Sequence, residues 1–310
     1  MNRALARRLV VLALAPALAQ CGRAAGDPEL AGDRAYGAGR FAEAGGEYQR
    51  ALARDASGRL WAKAGAAALR AGELGRAATD YARLAADDPT RIEEAADGLA
   101  RVAHAAELAG DSTTLRATVL ALSGVAPARA TLRQSLLVAR GGDLPPAQAI
   151  VILPRALAAA DAPASVDSLL LRYGAALDRA AACDDAVLAY RAVERRSADS
   201  GLRRAALLGA DGCALRLGLT ALSGGRPGDA SRWFGGIAEH DSASWTGRRA
   251  WIGLGDARRA DGDTAGAAAA FRTAAAQAGG GDSLSKLAAG RLDALAQSQS
   301  AGDTTRTSAQ

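Results

Sequence analysis

Aromatic residues make up only 4% of this 310-residue chain, which holds two histidines, three cysteines and one methionine. Aromatic and β-branched side chains are the ones that suit a pleated, half-buried surface, so their scarcity argues against a mainly β fold. His104 and His240 stand alone, and no two cysteines have metal-ligand spacing, so neither a metal nor a cofactor is expected. No Gly-x-Ser-x-Gly elbow is present. Gly279-Gly280-Gly281 opens no phosphate-cradling pattern and reads as a joint. His240-Asp241-Ser242 is consecutive, whereas a catalytic triad converges from separate segments, so no enzyme activity is expected. Lysine is also rare, confined to Lys63 and Lys286. The net charge is +5, but Arg3, Arg7 and Arg8 lie in a first stretch of twenty residues that has no acid, and without them the rest carries +2. A nucleic-acid binder needs a basic stripe on its folded part, and none is seen.

What the chain does have is alanine and leucine, both strong helix formers, and 49% hydrophobic residues overall. The first eleven-residue apolar run, Leu9 to Ala19, follows the basic residues and is too short to span a bilayer. Residues 1–20 are therefore expected to be a signal peptide, and no later apolar run is expected to be long enough to span. Two cleavage readings stay open. Ala17-Leu18-Ala19 fits ordinary signal peptidase, with cleavage before Gln20. Leu18-Ala19-Gln20-Cys21 resembles a bacterial lipobox, departing from it at Gln20, and would make Cys21 the lipidated first residue, followed by a short linker over 21–27. A lipidated Cys21 followed by Gly22, with no Asp to signal inner-membrane retention, points to an outer-membrane anchor facing the periplasm.

A repeat occupies the body of the chain. Its clearest unit is Trp61-x2-Ala64-Gly65-x2-Ala68-x3-Gly72-x-Leu74-x2-Ala77-x3-Tyr81-x2-Leu84-x4-Pro89. Related frames are Gly39-x-Phe41-x2-Ala44-x3-Tyr48-x2-Ala51, Gly110-x4-Leu115-x3-Val119-x2-Leu122 and the weaker Gly142-x4-Ala147-x3-Val151. Ala181-x4-Ala186-x3-Tyr190-x2-Val193 has alanine at the turn position. Gly225-x4-Ala230-x3-Phe234-x2-Ile237 and Gly262-x4-Ala267-x3-Phe271-x2-Ala274 complete the series. Glycine permits the tight turn between two helices, and Gly65 and Ala77 are small where the helices touch.

This pattern resembles the tetratricopeptide repeat (TPR). The resemblance implies an all-α, right-handed TPR-like solenoid of about seven helix pairs over residues 28–296. Residues 283–296 would form a C-terminal capping helix, and 297–310 a disordered polar tail. It also implies a non-catalytic scaffold whose first helices line a partner-binding groove, and the repeat frame places Tyr36, Arg59, Arg70, His104, Glu107, Arg140, Arg179, Leu219, Leu222 and Arg259 there. The partner expected is another envelope protein or peptide, in outer-membrane assembly or cell-wall coordination, as in bacterial envelope TPR lipoproteins. A superhelical module that binds glycan or a small ligand, related to wall-cleaving enzymes but lacking their catalytic domain, is the alternative. Cys183 and Cys213 lie equally far from the turn near Ala198, so on two antiparallel helices they fall at the same height. A disulfide and two buried free thiols are both open.

Overall fold

The computed structural model describes residues 26–129, 131–276 and 281–307, so the expected signal peptide and Cys21 lie outside the described residues. Among the described residues there are fifteen α-helices and no strand. They are α1 (Pro28–Gly37), α2 (Phe41–Leu52), α3 (Gly58–Arg70), α4 (Leu74–Asp87), α5 (Ile92–Ala109), α6 (Ser112–Val125), α7 (Leu132–Arg140) and α8 (Pro146–Ala159). The series continues with α9 (Pro163–Arg179), α10 (Cys183–Arg196), α11 (Ser200–Ser223), α12 (Pro227–Ala238), α13 (Trp245–Ala260), α14 (Thr264–Ala276) and α15 (Ser283–Thr307). Seven consecutive pairs and a last helix result, the all-α TPR-like architecture expected. The chain divides into two compact units, the first ending at Gly98 and the second beginning at Leu99.

The turn inside each pair is chemically specified. Residues 39, 72, 110, 181, 225 and 262 all have φ between +60° and +87°. In each of these turns the next amide reaches back five residues to a carbonyl of the preceding helix: Arg40 to Ala35, Glu73 to Ala68, Asp111 to Ala106, Ala182 to Leu177, Arg226 to Ala221 and Asp263 to Arg258, at 2.9–3.0 Å. This is the Schellman closure, which satisfies the last carbonyls of a helix and needs a left-handed residue. Five of the six residues are glycine. Ala181, at φ 60°, is the one non-glycine residue with positive φ among the described residues.

The 142 turn is built differently, and this corrects the repeat frame. Gly142 has φ 139°, and five residues, 141–145, separate α7 from α8 where two or three separate the other pairs. The buried positions of α8 therefore lie two residues later than expected. Ala147 is exposed, while Ala149, Leu153 and Ala156 are 3%, 1% and 0% exposed.

In the other pairs the second helix buries the expected residues: Ala77, Tyr81 and Leu84 on α4, Ala186, Tyr190 and Val193 on α10, Ala230, Phe234 and Ile237 on α12. Glycines on the first helices receive the aromatic rings. A Cβ on Gly65 would stand 3.1 Å from Tyr81, one on Gly174 2.8 Å from Tyr190, and one on Gly253 2.7 Å from Phe234. Close helix approach with aromatic filling is how these alanine-rich helices reach core packing density.

α11 corrects a second expectation. It is long and apolar enough to cross a membrane by length and composition alone. It packs on α10 and α12 and buries Asp211 and Cys213 among its alanines, which marks it as a core helix of the second unit. α15 likewise differs from the expected cap, running past 296 to Thr307. No proline follows Leu295 to stop it, so the polar stretch after Gln297 carries the helical register on.

α15 is keyed to α13 by a buried arginine. The Arg248 side chain, 6% exposed, makes a two-pronged bond to Asp282 at 2.5 and 2.7 Å and donates to Ser285 Oγ at 2.9 Å. Asp282 in turn accepts from the Ser285 amide at the start of α15. These bonds hold the Asp282 carboxyl far below its ordinary range, with Arg248 the largest cause.

Candidate functional site

The first unit carries a cavity of about 380 Å³ on the face made by its first helices. Tyr36 and Asp33 come from α1, Arg59, Ala62, Lys63 and Ala66 from α3, Glu94 from α5, and Tyr48 reaches in from α2. Arg91 also lines it and pairs with Glu94 at 2.6 Å. The elements are set by the repeat: residues about thirty apart fall side by side on successive first helices, so Asp33 meets Lys63 and Glu29 meets Arg59.

Lys63 is the centre of the polar wall. Its Nζ donates to both Asp33 oxygens at 2.7 and 2.8 Å and to Glu29 Oε1 at 2.7 Å, and it stands 5.8 Å from the Tyr48 ring centroid. Tyr48 Oη donates to Asp33 at 2.8 Å. Burial works against ionised Asp33, but the bonds from Lys63 and Tyr48 outweigh it and hold the carboxyl below its ordinary value. Burial works against charged Lys63 as well, and Asp33 and Glu29 together lift the ammonium above its ordinary value. Burial, with Asp33 adding to it, pushes the Tyr48 phenol far above its usual range. Lys63 is thus fully charged and fixed at neutral pH. Arg59 is different: it bonds Glu29 at 2.7 Å while two-thirds of its side chain remains exposed. The cavity offers an aromatic and alanine floor, a fixed charge network and an accessible guanidinium at its edge.

A second cavity, about 300 Å³, lies in the second unit between α7 and α9. Leu136, Leu169 and Ala164 give it apolar walls, and Arg140, Arg172, Ser165 and Ser168 line it with polar groups. Arg172 is committed, donating at 2.6 Å to the carbonyls of Ala139 and Gly142 at the end of α7.

The residues expected to line the groove separate into several environments. Tyr36, Arg59 and Arg140 line cavities. Glu107 is engaged by Arg133 at 2.7 Å and by Gln134 at 3.0 Å. Arg70 lies 5.1 Å from the Phe41 ring centroid. Arg70, Arg140 and Arg179 each stand two residues before a turn residue, in the last turn of a first helix, where a cation also suits the helix dipole. Arg179 bonds the Ala175 carbonyl at 3.2 Å. His104 is exposed on α5. Leu219 is 37% exposed, while Leu222 packs against the α12–α13 core. Arg259 is half exposed, 3.7 Å from Asp256.

Several polar pairs escaped the sequence reading. His240 Nε2 lies 2.9 Å from Oδ2 of Asp211, which is 2% exposed on α11; burial raises the Asp211 carboxyl above its ordinary value and His240 partly offsets this. The nearby Ser244 hydroxyl is bonded to Asp241 and accepts from the Gly247 amide at the start of α13, so it caps a helix. Asp80 is also 2% exposed on α4, where both its oxygens accept from Gln49 at 3.1 and 3.2 Å. Burial pushes its carboxyl up to about 6 against the opposing pull of Gln49 and Arg76. The signal that could have found such groups is an acidic residue inside an apolar helical stripe.

No protein-family profile matches this chain, and no curated protein sequence does. Solved structures do. The TPR domain of P58(IPK) is 13% identical over 88% of this chain and 98% of its own, with a TM-score of 0.29. The TPR2AB domain of yeast Sti1, solved in complex with pHSP90, is 16% identical over 86% of this chain and 95% of its own, at 0.27. A tetratricopeptide repeat protein from Parabacteroides merdae is 11% identical over 86% and 97%, also at 0.27. At these identities and scores the likeness adds nothing to the helix-pair architecture read from the chain's own turns and core.

Proposed function

We propose that this protein is an exported, non-catalytic scaffold that holds a segment of a partner protein against its first-helix face. The observation that carries the reading is the 380 Å³ cavity of the first unit. Its floor is formed by Tyr36 and the small Ala62 and Ala66, which leave room for an apolar side chain, and its charges are already locked in pairs. A site of that kind recognises by shape and by the exposed hydrogen bonds of Arg59. The chemical groups best placed for catalysis, Asp211 with His240 and the two buried thiols, do not line this cavity and are engaged in structural contacts.

The N-terminal sequence supports export, with Cys21 as a lipid anchor in the outer membrane and the helix pairs facing the periplasm. The partner is then an envelope protein, in outer-membrane assembly or cell-wall coordination. The reading is tested by placing a photo-crosslinking amino acid at Arg59, Arg140 or Arg259 of the full chain in cells and identifying the adducts by mass spectrometry. Adducts to one or a few envelope proteins are expected, strongest from position 59. Recovery of wall fragments alone would replace it with the glycan-binding alternative.

A further inference from the structure

Cys183, the first residue of α10, and Cys213, in the middle of α11, point at each other across the helix pair. Their sulfurs and the Asp178 carboxylate all lie within 4.8 Å of one another. Both are free thiols, 6% and 0% exposed. Arg216 covers all three groups. Its Nε donates to Cys183 Sγ at 3.3 Å, and its Nη2 donates to Cys213 Sγ at 3.2 Å and to Asp178. Three ligand atoms at this separation are what a soft divalent cation takes, but the Arg216 guanidinium already bonds all three groups, and its charge repels a cation. A buried thiol pair under an arginine is suited to a different reaction.

We propose that Cys183 and Cys213 are a modification site, a dithiol that closes to a disulfide joining α10 to α11 when the chain meets a disulfide-bearing oxidant. The order of steps follows from exposure. The Cys183 thiolate attacks one sulfur of the oxidant's disulfide, forming a mixed disulfide and releasing the other sulfur as thiolate. The Cys213 thiolate then attacks the Cys183 sulfur, the internal bond forms, and the second thiolate leaves. The two cysteines lose two protons and two electrons, and the oxidant's disulfide is reduced to two thiols. Arg216 lies beside both sulfurs as they ionise. Its help is needed most at Cys213, where burial above all keeps the thiol in its protonated form. The inference stands whether or not the scaffold reading holds, because the sulfurs' separation is independent of any partner.

The test uses the full chain carrying Cys21→Ser, so that only this pair can react, equilibrated with oxidised and reduced glutathione and then quenched and digested with trypsin. The expected product is peptide Ala180–Arg191 joined to Ala205–Arg216, with loss of 2 Da from the intact chain and no retained glutathione. Oxidised protein should melt about 5–10 °C above the reduced form, with the difference abolished by dithiothreitol and absent from Cys213→Ser. Arg216→Gln should close at least several-fold more slowly at pH 7, while a control change at exposed Arg232 should not. A stable glutathione adduct on Cys183, two thiols that stay alkylatable after unfolding, or stoichiometric Zn²⁺ binding by the reduced pair would each overturn the proposal.

Discussion

Gly209 on α11 lies against the ring of Tyr190 on α10: a Cβ at 209 would stand 2.7 Å from Cε2 and closer still to Cζ. Gly174 on α9 meets the same ring, with its Cβ position 2.8 Å from Cδ1, so the tyrosine is clasped between glycines of the preceding and following helices. Phe234 is held the same way between Gly218 and Gly253. Gly212, three residues further along α11, has nothing within 4 Å of its Cβ position. Gly209→Ala should therefore destabilise the protein by about 1–3 kcal/mol through overpacking. Gly212→Ala should instead add up to about 1 kcal/mol by removing a flexible residue from a helix interior. Urea unfolding of the two variants checks the pair, and equal effects would refute the clasp.

Ala181 does with a Cβ what glycine does in the five matching turns. Holding an L-residue in the left-handed region costs about 1–2 kcal/mol, of which glycine's greater freedom in the unfolded chain returns part. Ala181→Gly is expected to stabilise by about 0.5–1 kcal/mol, and a bulkier Ala181→Val to destabilise. Denaturant midpoints measured side by side decide it.

Asp80 makes the stability depend on pH in an unusual direction. Its carboxyl titrates near 6 when folded and near 3.8 when free. Between those values the folded chain binds more protons than the unfolded one, so this residue's contribution falls as pH rises from about 4 to 6 and stays low above that. Asp80→Asn keeps an acceptor for Gln49 and removes the charge. The variant should melt higher than the parent at pH 7, with the advantage shrinking toward pH 4. Melting curves across that range test it, and an advantage that grew on acidification would contradict the burial argument.

Cys21 lies outside the described residues, and the anchor proposal stands on sequence. Cells producing the full chain should incorporate a clickable palmitate analogue into it and retain it in the membrane fraction. Cys21→Ser should lose both properties. A mature chain that begins at Gln20 and carries no lipid would establish the ordinary cleavage reading.

The turns were legible because a left-handed residue leaves a glycine in the sequence, and even Ala181 fell in frame by spacing alone. The α8 register was not, because the longer Gly141–Pro145 connection shifts every later position by two while the small and apolar residues of α8 satisfy either frame. Cys183 and Cys213 were placed at one height from the turn between their helices, but Arg216, which bonds both, belongs to no motif. The cavity was half visible: Tyr36 and Arg59 were expected on the first-helix face, whereas Lys63 was not. Its partners Glu29 and Asp33 lie 34 and 30 residues upstream, a repeat-length offset that shows as charge complementarity only once successive first helices are aligned.

The central claim is that the first-unit cavity receives a partner. Ala66 lines it, while Thr79 is exposed on α4 with its hydroxyl bonded to the Gly75 carbonyl. Crosslinking from position 59 should be compared in cells carrying Ala66→Phe and Thr79→Phe, with melting temperatures measured to confirm that both fold. The account predicts that filling the cavity with Ala66→Phe removes most of the envelope-protein adduct, while Thr79→Phe leaves it unchanged. Equal adduct yields from the two variants would contradict it.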